Sequence, residues 1–131
     1  MTIRKDQELH DKTCVLVAQM RFKYPNSDHQ DWHTIVNHPQ PSVSFNNGKS
    51  MPDVVVLDSE NHAQILGEIE TEDTVNEESV RQWQEYSTVC KWLYVYVPKG
   101  YGALAKKLGS GFAKGFREYS YQNGQIIINV I

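Results

Sequence analysis

The stretch PDVVVLDSENHAQILGEIE, residues 52–70, decides how this chain folds. Val54 to Leu57 is a β-branched apolar run opened by Pro52, and Ile65, Gly67 and Ile69 alternate with Gln64, Leu66, Glu68 and Glu70. Between them Asp58, Ser59, Glu60 and Asn61 turn the chain, so the segment predicts a β-hairpin. Side chains two apart on a strand share a face, which sends Glu68 and Glu70 to the same side of the sheet. Asp53 lies at the mouth of the first strand, about as far from the turn as those two glutamates. Pairing across the turn therefore draws three carboxylates toward one place.

Upstream of the hairpin, Asp6 to about Phe22 places Leu9, Leu16 and Met20, with Thr13 between, at helical spacing, and Pro25 with Asn26 stops the run. A short strand near Trp32 to Val36 follows. Pro39, Pro41, Asn46, Asn47 and Gly48 then read as a loop or a ragged hairpin turn. Downstream, Thr74 to Glu77 matches the Thr-x-x-Glu capping box, and Val80, Trp83, Tyr86 and Cys90 fall near one face of a helix that ends before Lys91. Trp92 to Val97 suits a strand buried on both sides, closed by Pro98 and Gly100. Ala103 to Leu108 predicts a third helix ended at Gly109. Tyr119, Tyr121, the Asn123-Gly124 dipeptide and Ile126 to Ile131 predict a terminal hairpin.

The element order is α, β, β, β, α, β, α, β, β, with a helix crossing between the first hairpin and the Trp92 strand. A right-handed crossover that sets this strand parallel to a neighbour gives a mixed sheet with helices on its faces. The expected class is α/β, or α+β on a strict definition, in one domain over residues 1–131.

Composition narrows the function. The chain has 131 residues, 40% of them hydrophobic and 22% charged, enough for one globular core and unlike disordered or collagenous sequences. Its longest apolar runs are far too short to span a bilayer, and Met1 opens a polar stretch without a signal-peptide pattern, so a cytoplasmic protein without membrane contact is expected. Cys14 and Cys90 read as two reduced core thiols. The net charge of −3 conceals a split along the chain. Ten acids face one base, Arg81, between Asp53 and Glu85, whereas Lys91, Lys99, Lys106, Lys107, Lys114 and Arg117 occupy an interval free of Asp and Glu. The first segment suits cations and the second suits phosphates, with solvated surface as the plain alternative for both.

Like charges a few ångströms apart repel, so a trio such as Asp53, Glu68 and Glu70 calls for a hard divalent cation. Mg²⁺, which takes one or two carboxylates and keeps several waters, is the expected ion, with Mn²⁺ as its substitute. Gln82 and Tyr86, four apart on the second helix, share a face and can hydrogen-bond into the same place. Taken together, Pro52-Asp53, Glu68-Ile69-Glu70 and Gln82-x-x-x-Tyr86 resemble the signature of the PD-(D/E)XK nuclease superfamily, in the form shared by RecB-type and Cas4-type nucleases. The resemblance covers roughly Asp6 to Val97 and includes the order of elements, a restriction endonuclease-like αβββαβ core to which a helix and a hairpin are added.

The resemblance implies a metal-dependent deoxyribonuclease. Asp53 and Glu68 would hold the metal with help from the carbonyl of Ile69, while Gln82 and Tyr86 would order the site and the strand being cut. Glu70 stands where the family carries lysine, and would serve as general base or as ligand to a second metal. Lys49 could supply a displaced cation and Glu8 an additional acid, although both also read as plain surface residues. The basic stretch from Lys91 to Arg117 would carry the DNA backbone, with Lys106 and Lys107 foremost. So small a domain has little room for a separate recognition element, which makes a homodimer or a protein partner an expectation as well. The competing readings are a catalytically silent module of the same fold that binds nucleic acid or a protein, and a structural subunit whose acidic face docks on a basic partner.

Three weaker signals resolve to structure. His29, His33 and His38 with Asp28 and Asp31 suggest zinc, but the segment does not read as helical and suits a polar loop. Gly109, Gly111 and Gly115 lack the strand and Lys-Ser/Thr pair of a phosphate loop. Tyr94 and Tyr96 alternate with apolar residues as strand packing does.

Overall fold

The computed structural model describes residues 6–38, 40–45 and 47–131. Met1, Pro39 and Asn46 lie outside the described residues. Among the described residues three helices flank one six-stranded mixed sheet, in the expected α/β class. Helix α1 spans Gln7–Arg21 and α2 Glu77–Tyr86, while α3 spans Gly102–Gly109. The strands are β1 (His33–Val36), β2 (Val54–Leu57), β3 (Ala63–Ile69), β4 (Trp92–Pro98), β5 (Gly115–Gln122) and β6 (Gln125–Val130).

The sheet order is β1-β2-β3-β4-β5-β6. Strands β1, β2 and β3 run antiparallel, β3, β4 and β5 run parallel, and β6 returns antiparallel to β5. Two crossover helices are therefore present, because α3 joins parallel neighbours just as α2 does. The hairpin register pairs Val54 with Gly67 and Val55 with Leu66, so Asp53 falls beside Glu68. Asp58 shapes the turn by accepting the N–H groups of Glu60 and His62, and Asn61 takes φ 63°, a conformation Asn tolerates. Asn123 and Gly124 both have positive φ, as a type I′ hairpin turn requires.

Strand parity sorts the core into two layers. Val54, Val56, Ile65, Ile69 and Tyr96 face α1, where Cys14, Val17 and Phe22 cover them. Val55, Leu57, Leu66, Leu93, Val95 and Val97 face α2 and α3, against Trp83, Tyr86 and Ala105. Burial on both faces explains the unbroken apolar run of β2 and the aromatic, β-branched composition of β4. A Cβ on Gly67 would stand 2.9 Å from the Phe22 ring, so the missing side chain is what lets Phe22 lie against the hairpin.

Two local expectations need correction. The buried face of α1 is His10, Thr13, Cys14, Val17 and Ala18, whereas Leu9 and Met20 are 42% and 44% exposed. Thr13 lies on the inward stripe as expected, and polar His10 lies there too, where a scan for apolar spacing passes over it. The cap of α2 is Asn76, whose side chain accepts the Ser79 N–H at 3.0 Å. Thr74 instead ends a 3-10 turn over Glu72–Thr74 and accepts the Thr71 N–H at 2.8 Å. The extra turn after Glu70 separates the Thr-x-x-Glu pattern from the helix it was expected to start.

A packing prediction follows from α3. A Cβ on Gly109 would approach Trp83 to 2.6 Å, and Trp83 is fully buried. Gly109→Ala should cost about 1–3 kcal/mol in urea unfolding, the usual cost of overpacking. Gly111→Ala, whose Cβ meets nothing within 4 Å, is the control and should leave the midpoint unchanged or slightly raised.

Candidate metal centre

The hairpin register and the end of β3 together assemble a buried acidic site. Asp53, Glu68 and Glu70 are 3%, 3% and 1% exposed. The Asp53 Oδ2 atom accepts the Ile69 N–H at 2.8 Å, and the Asp53 N–H donates to Glu68 Oε2 at 3.0 Å. Glu70 turns toward α2, where its Oε2 accepts the Trp83 indole N–H at 2.8 Å. Its backbone is fixed as well: its N–H donates to the Tyr96 carbonyl at 2.8 Å and its carbonyl accepts the Tyr119 hydroxyl at 2.6 Å.

Electrostatics follow from this crowding. Burial, then the charges of Asp53 and Glu70, push the Glu68 carboxyl well above the usual carboxylate range. The Tyr86 phenol is likewise pushed up, first by burial and then by Glu68, Asp53 and Glu70, so it remains an O–H facing the acidic site. Gln82 is half-buried one turn earlier on the same helix, and its side chain makes no hydrogen bond among the described residues.

The side of Asp53 toward α1 is occupied by imidazoles. His38 Nε2 lies 2.6 Å and His10 Nε2 3.4 Å from Asp53 Oδ1. His10 Nε2 also lies 3.0 Å from the Ile69 carbonyl and 3.6 Å from Cys14 Sγ. Behind both rings stands Asp11, whose Oδ1 is 3.0 Å from His10 Nδ1 and 3.3 Å from His38 Nδ1. Burial raises the Asp11 pKa, but hydrogen bonds with His10 and Gln7 and the charges of His38 and His10 outweigh it and hold the carboxyl below its usual range. The loop that delivers His38 is fixed by Asn37. That side chain donates to the Val43 and Pro52 carbonyls and accepts the Ser42 and Val43 N–H groups.

His10 and His38 were not foreseen as a pair. In the sequence His38 reads as part of a polar loop, and the spacing of Leu9 and Leu16 passes over His10, whose one signal is its spacing of four from Cys14. The other residues of the histidine-rich segment stay away: His29 stacks on Trp32 at 3.5 Å between ring centroids, and His33 is exposed on β1. Lys49 is exposed in the turn closed by the Phe45–Ser50 bridge, and Glu8 is exposed on α1, while His10, two residues on, points inward. Neither Cys14 nor Cys90 is in a disulfide among the described residues. Cys14 is buried beside His10, and half-buried Cys90 has its thiol pushed up to about 11 by burial.

The basic residues divide between the two ends of the sheet. The backbone N–H of Lys91 bonds to Gln64 and that of Lys114 to Leu93, which places both at the starts of the parallel strands, away from the carboxylates. Lys106 and Lys107 lie in the last turn of α3, and Lys106, Lys114 and Arg117 border a groove of about 320 Å³. Lys99 is at the carboxylate end, on the rim of a cavity of about 700 Å³ with Thr71, Tyr101 and Tyr119. This cavity is not lined by Asp53, Glu68 or Glu70, but Tyr119 joins it to the Glu70 backbone.

The chain matches no known family, no characterised protein and no solved structure.

The raised Glu68 pKa sets a pH dependence. Between the ordinary value near 4.5 and the raised folded value, the native state binds the extra proton, so stability falls as pH rises through that window. Glu68→Gln removes this part of the loss. In divalent-free buffer the variant should melt above wild type at pH near 7 and close to it at pH near 4.5, measured by circular dichroism. An unchanged pH slope would contradict the assignment.

Proposed function

We propose that this protein is a metal-dependent nuclease of the PD-(D/E)XK type that hydrolyses DNA phosphodiester bonds. The observation that carries the reading is the convergence of Asp53, Glu68 and Glu70, all buried, at the ends of β2 and β3, with the Glu68 carboxyl pushed upward by burial and then by the charges of the other two. A divalent ion relieves that repulsion, and the oxygen donors of Asp53 and Glu68 fit Mg²⁺ or Mn²⁺. Bound there, such an ion supplies Lewis acidity and a water of lowered pKa.

The chain's own groups supply the rest. Glu70 takes the proton of the attacking water, with its second carboxylate oxygen fixed by the Trp83 indole. Tyr86 donates its hydroxyl and Gln82 its amide toward the strand being cut. Lys99 holds a backbone phosphate at this end, and Lys91, Lys106, Lys107, Lys114 and Arg117 extend the basic surface along the far edge. A reduced, cytoplasmic setting suits the free thiols, and pairing of two copies or a protein partner would add recognition surface.

A second reading is favoured by one observation: Glu70 is 1% exposed, hydrogen-bonded to Trp83 and stands where the resembled family has lysine. It makes the protein a catalytically silent module that binds nucleic acid or a protein partner. Plasmid nicking in Mg²⁺ or Mn²⁺ separates the two. Wild type should nick and Asp53→Asn should lose at least about a hundredfold in rate; equal inertness of both favours the silent module. In gel-shift titrations over a salt series, Lys99→Ala should flatten the salt dependence by about one unit of slope.

A further inference from the structure

We propose that His10, His38 and Asp53, with Cys14 as the fourth donor, form a binding site for a borderline transition-metal ion of the zinc class. The proposal goes beyond the nuclease reading, because it needs only the placement of these four side chains and not phosphodiester chemistry. One donor atom from each lies within 4.8 Å of all the others. In a tetrahedral zinc site with bonds of about 2.0–2.3 Å, neighbouring donors stand about 3.3–3.8 Å apart. The His10–Asp53 distance of 3.4 Å and the Cys14–His10 distance of 3.6 Å already fall in that range. The 2.6 Å contact between His38 and Asp53 must lengthen by less than about 1 Å to reach it.

The groups behind the two imidazoles suit an ion at this point. A neutral imidazole has one N–H and one lone pair. In the metal-free protein Nε2–H groups can serve Asp53 Oδ1 and the Ile69 carbonyl while His10 Nδ1 accepts the Gln7 amide N–H; with the proton on Nδ1 instead, toward Asp11, both Nε2 lone pairs turn to the space beside Asp53 Oδ1. That second tautomer is the one an ion requires, so ion binding and the move of the proton to Nδ1 go together. The Asp11 arrangement is that of a carboxylate behind metal-bound histidines, which fixes the tautomer and aims each ring. Gln7 in turn donates to Asp11 Oδ1 at 2.8 Å.

The donor chemistry sets the class of ion. Two imidazoles, a thiol and a carboxylate oxygen suit Zn²⁺ and Co²⁺, whereas Mg²⁺ prefers oxygen alone. Binding converts the Cys14 thiol to a thiolate and releases its proton to solvent. The His38 side chain, 22% exposed on its loop, leaves a route in for the ion.

Cobalt titration of the metal-free protein tests this without reference to cleavage. One equivalent of Co²⁺ should give the intense visible bands of a four-coordinate ion together with a near-ultraviolet thiolate charge-transfer band, and Zn²⁺ should displace it while excess Mg²⁺ does not. Alanine at His38, a partly exposed position, should weaken binding at least tenfold, Asp11→Asn should weaken it about 10–100-fold, and His29→Ala should have no effect. Cys14→Ser should keep the visible bands and lose the charge-transfer band. Absence of Co²⁺ and Zn²⁺ binding would mean that protons fill the gap and would overturn the proposal, as would six-coordinate spectra indifferent to His38→Ala. Four-coordinate Co²⁺ binding in a protein that never nicks DNA would uphold this site and remove the nuclease reading. Mg²⁺-dependent nicking without Co²⁺ binding would do the reverse.

Discussion

Asp53 is the tie on which this end of the molecule depends. Its side chain accepts the Ile69 N–H and its backbone N–H donates to Glu68, so one residue binds the start of β2 to the end of β3 with both its main chain and its carboxylate. The tie is anionic and buried among other anions, which separates it from an ordinary sheet hydrogen bond. Burial of charge in a medium of low dielectric is costly unless hydrogen bonds or counter-charges offset it. The imidazoles of His10 and His38 on one side and the backbone N–H of Ile69 on the other take part of that role.

Sheet topology explains why the tie is found here. Strand β3 has an antiparallel neighbour on one side and a parallel neighbour on the other. The chain must leave its C-terminal end to enter α2, so no further strand residue covers Glu70. Open α/β sheets characteristically leave a crevice at such strand ends. Helix α1 closes the crevice from one face with His10, and the turn leading into α2 closes it from the other. The carboxylates and the imidazoles are therefore two faces of one position, separated by the plane of the sheet and joined through Asp53.

The legible part of this arrangement is the part governed by a period of two. Alternation in residues 63–70 placed Glu68 and Glu70 together, and the length of the turn set Asp53 beside them; both rest on local sequence. His10 was illegible because its position depends on the rotation of α1. That rotation is decided by Cys14, Val17 and Phe22 packing on Val54, Val56 and Ile69, contacts tens of residues apart. His38 was illegible for a different reason. It sits in a loop whose path is fixed by Asn37, which spends all four of its amide hydrogen-bonding positions on that loop and on Pro52. No periodicity reports such a knot. The capping motif at Thr74 was legible as a turn signal but assigned to the wrong turn, since Thr71 and Thr74 close a short 3-10 segment before Asn76 caps α2.

The α2 face carries a coupling that reaches beyond the site itself. Trp83 donates its indole N–H to Glu70 at 2.8 Å, and its ring edge meets the backbone of Gly109 at the end of α3 and the ring of Phe116 on β5. A Cβ at Gly109 would come within 2.6 Å of the Trp83 ring, so the glycine leaves the room that this ring fills. The orientation of one site carboxylate is thus set by the packing of a helix whose own sequence contains no acidic residue and whose last turn carries Lys106 and Lys107. In a close-packed interior a shift of a few tenths of an ångström in α3 has nowhere to dissipate and passes to the Trp83 ring.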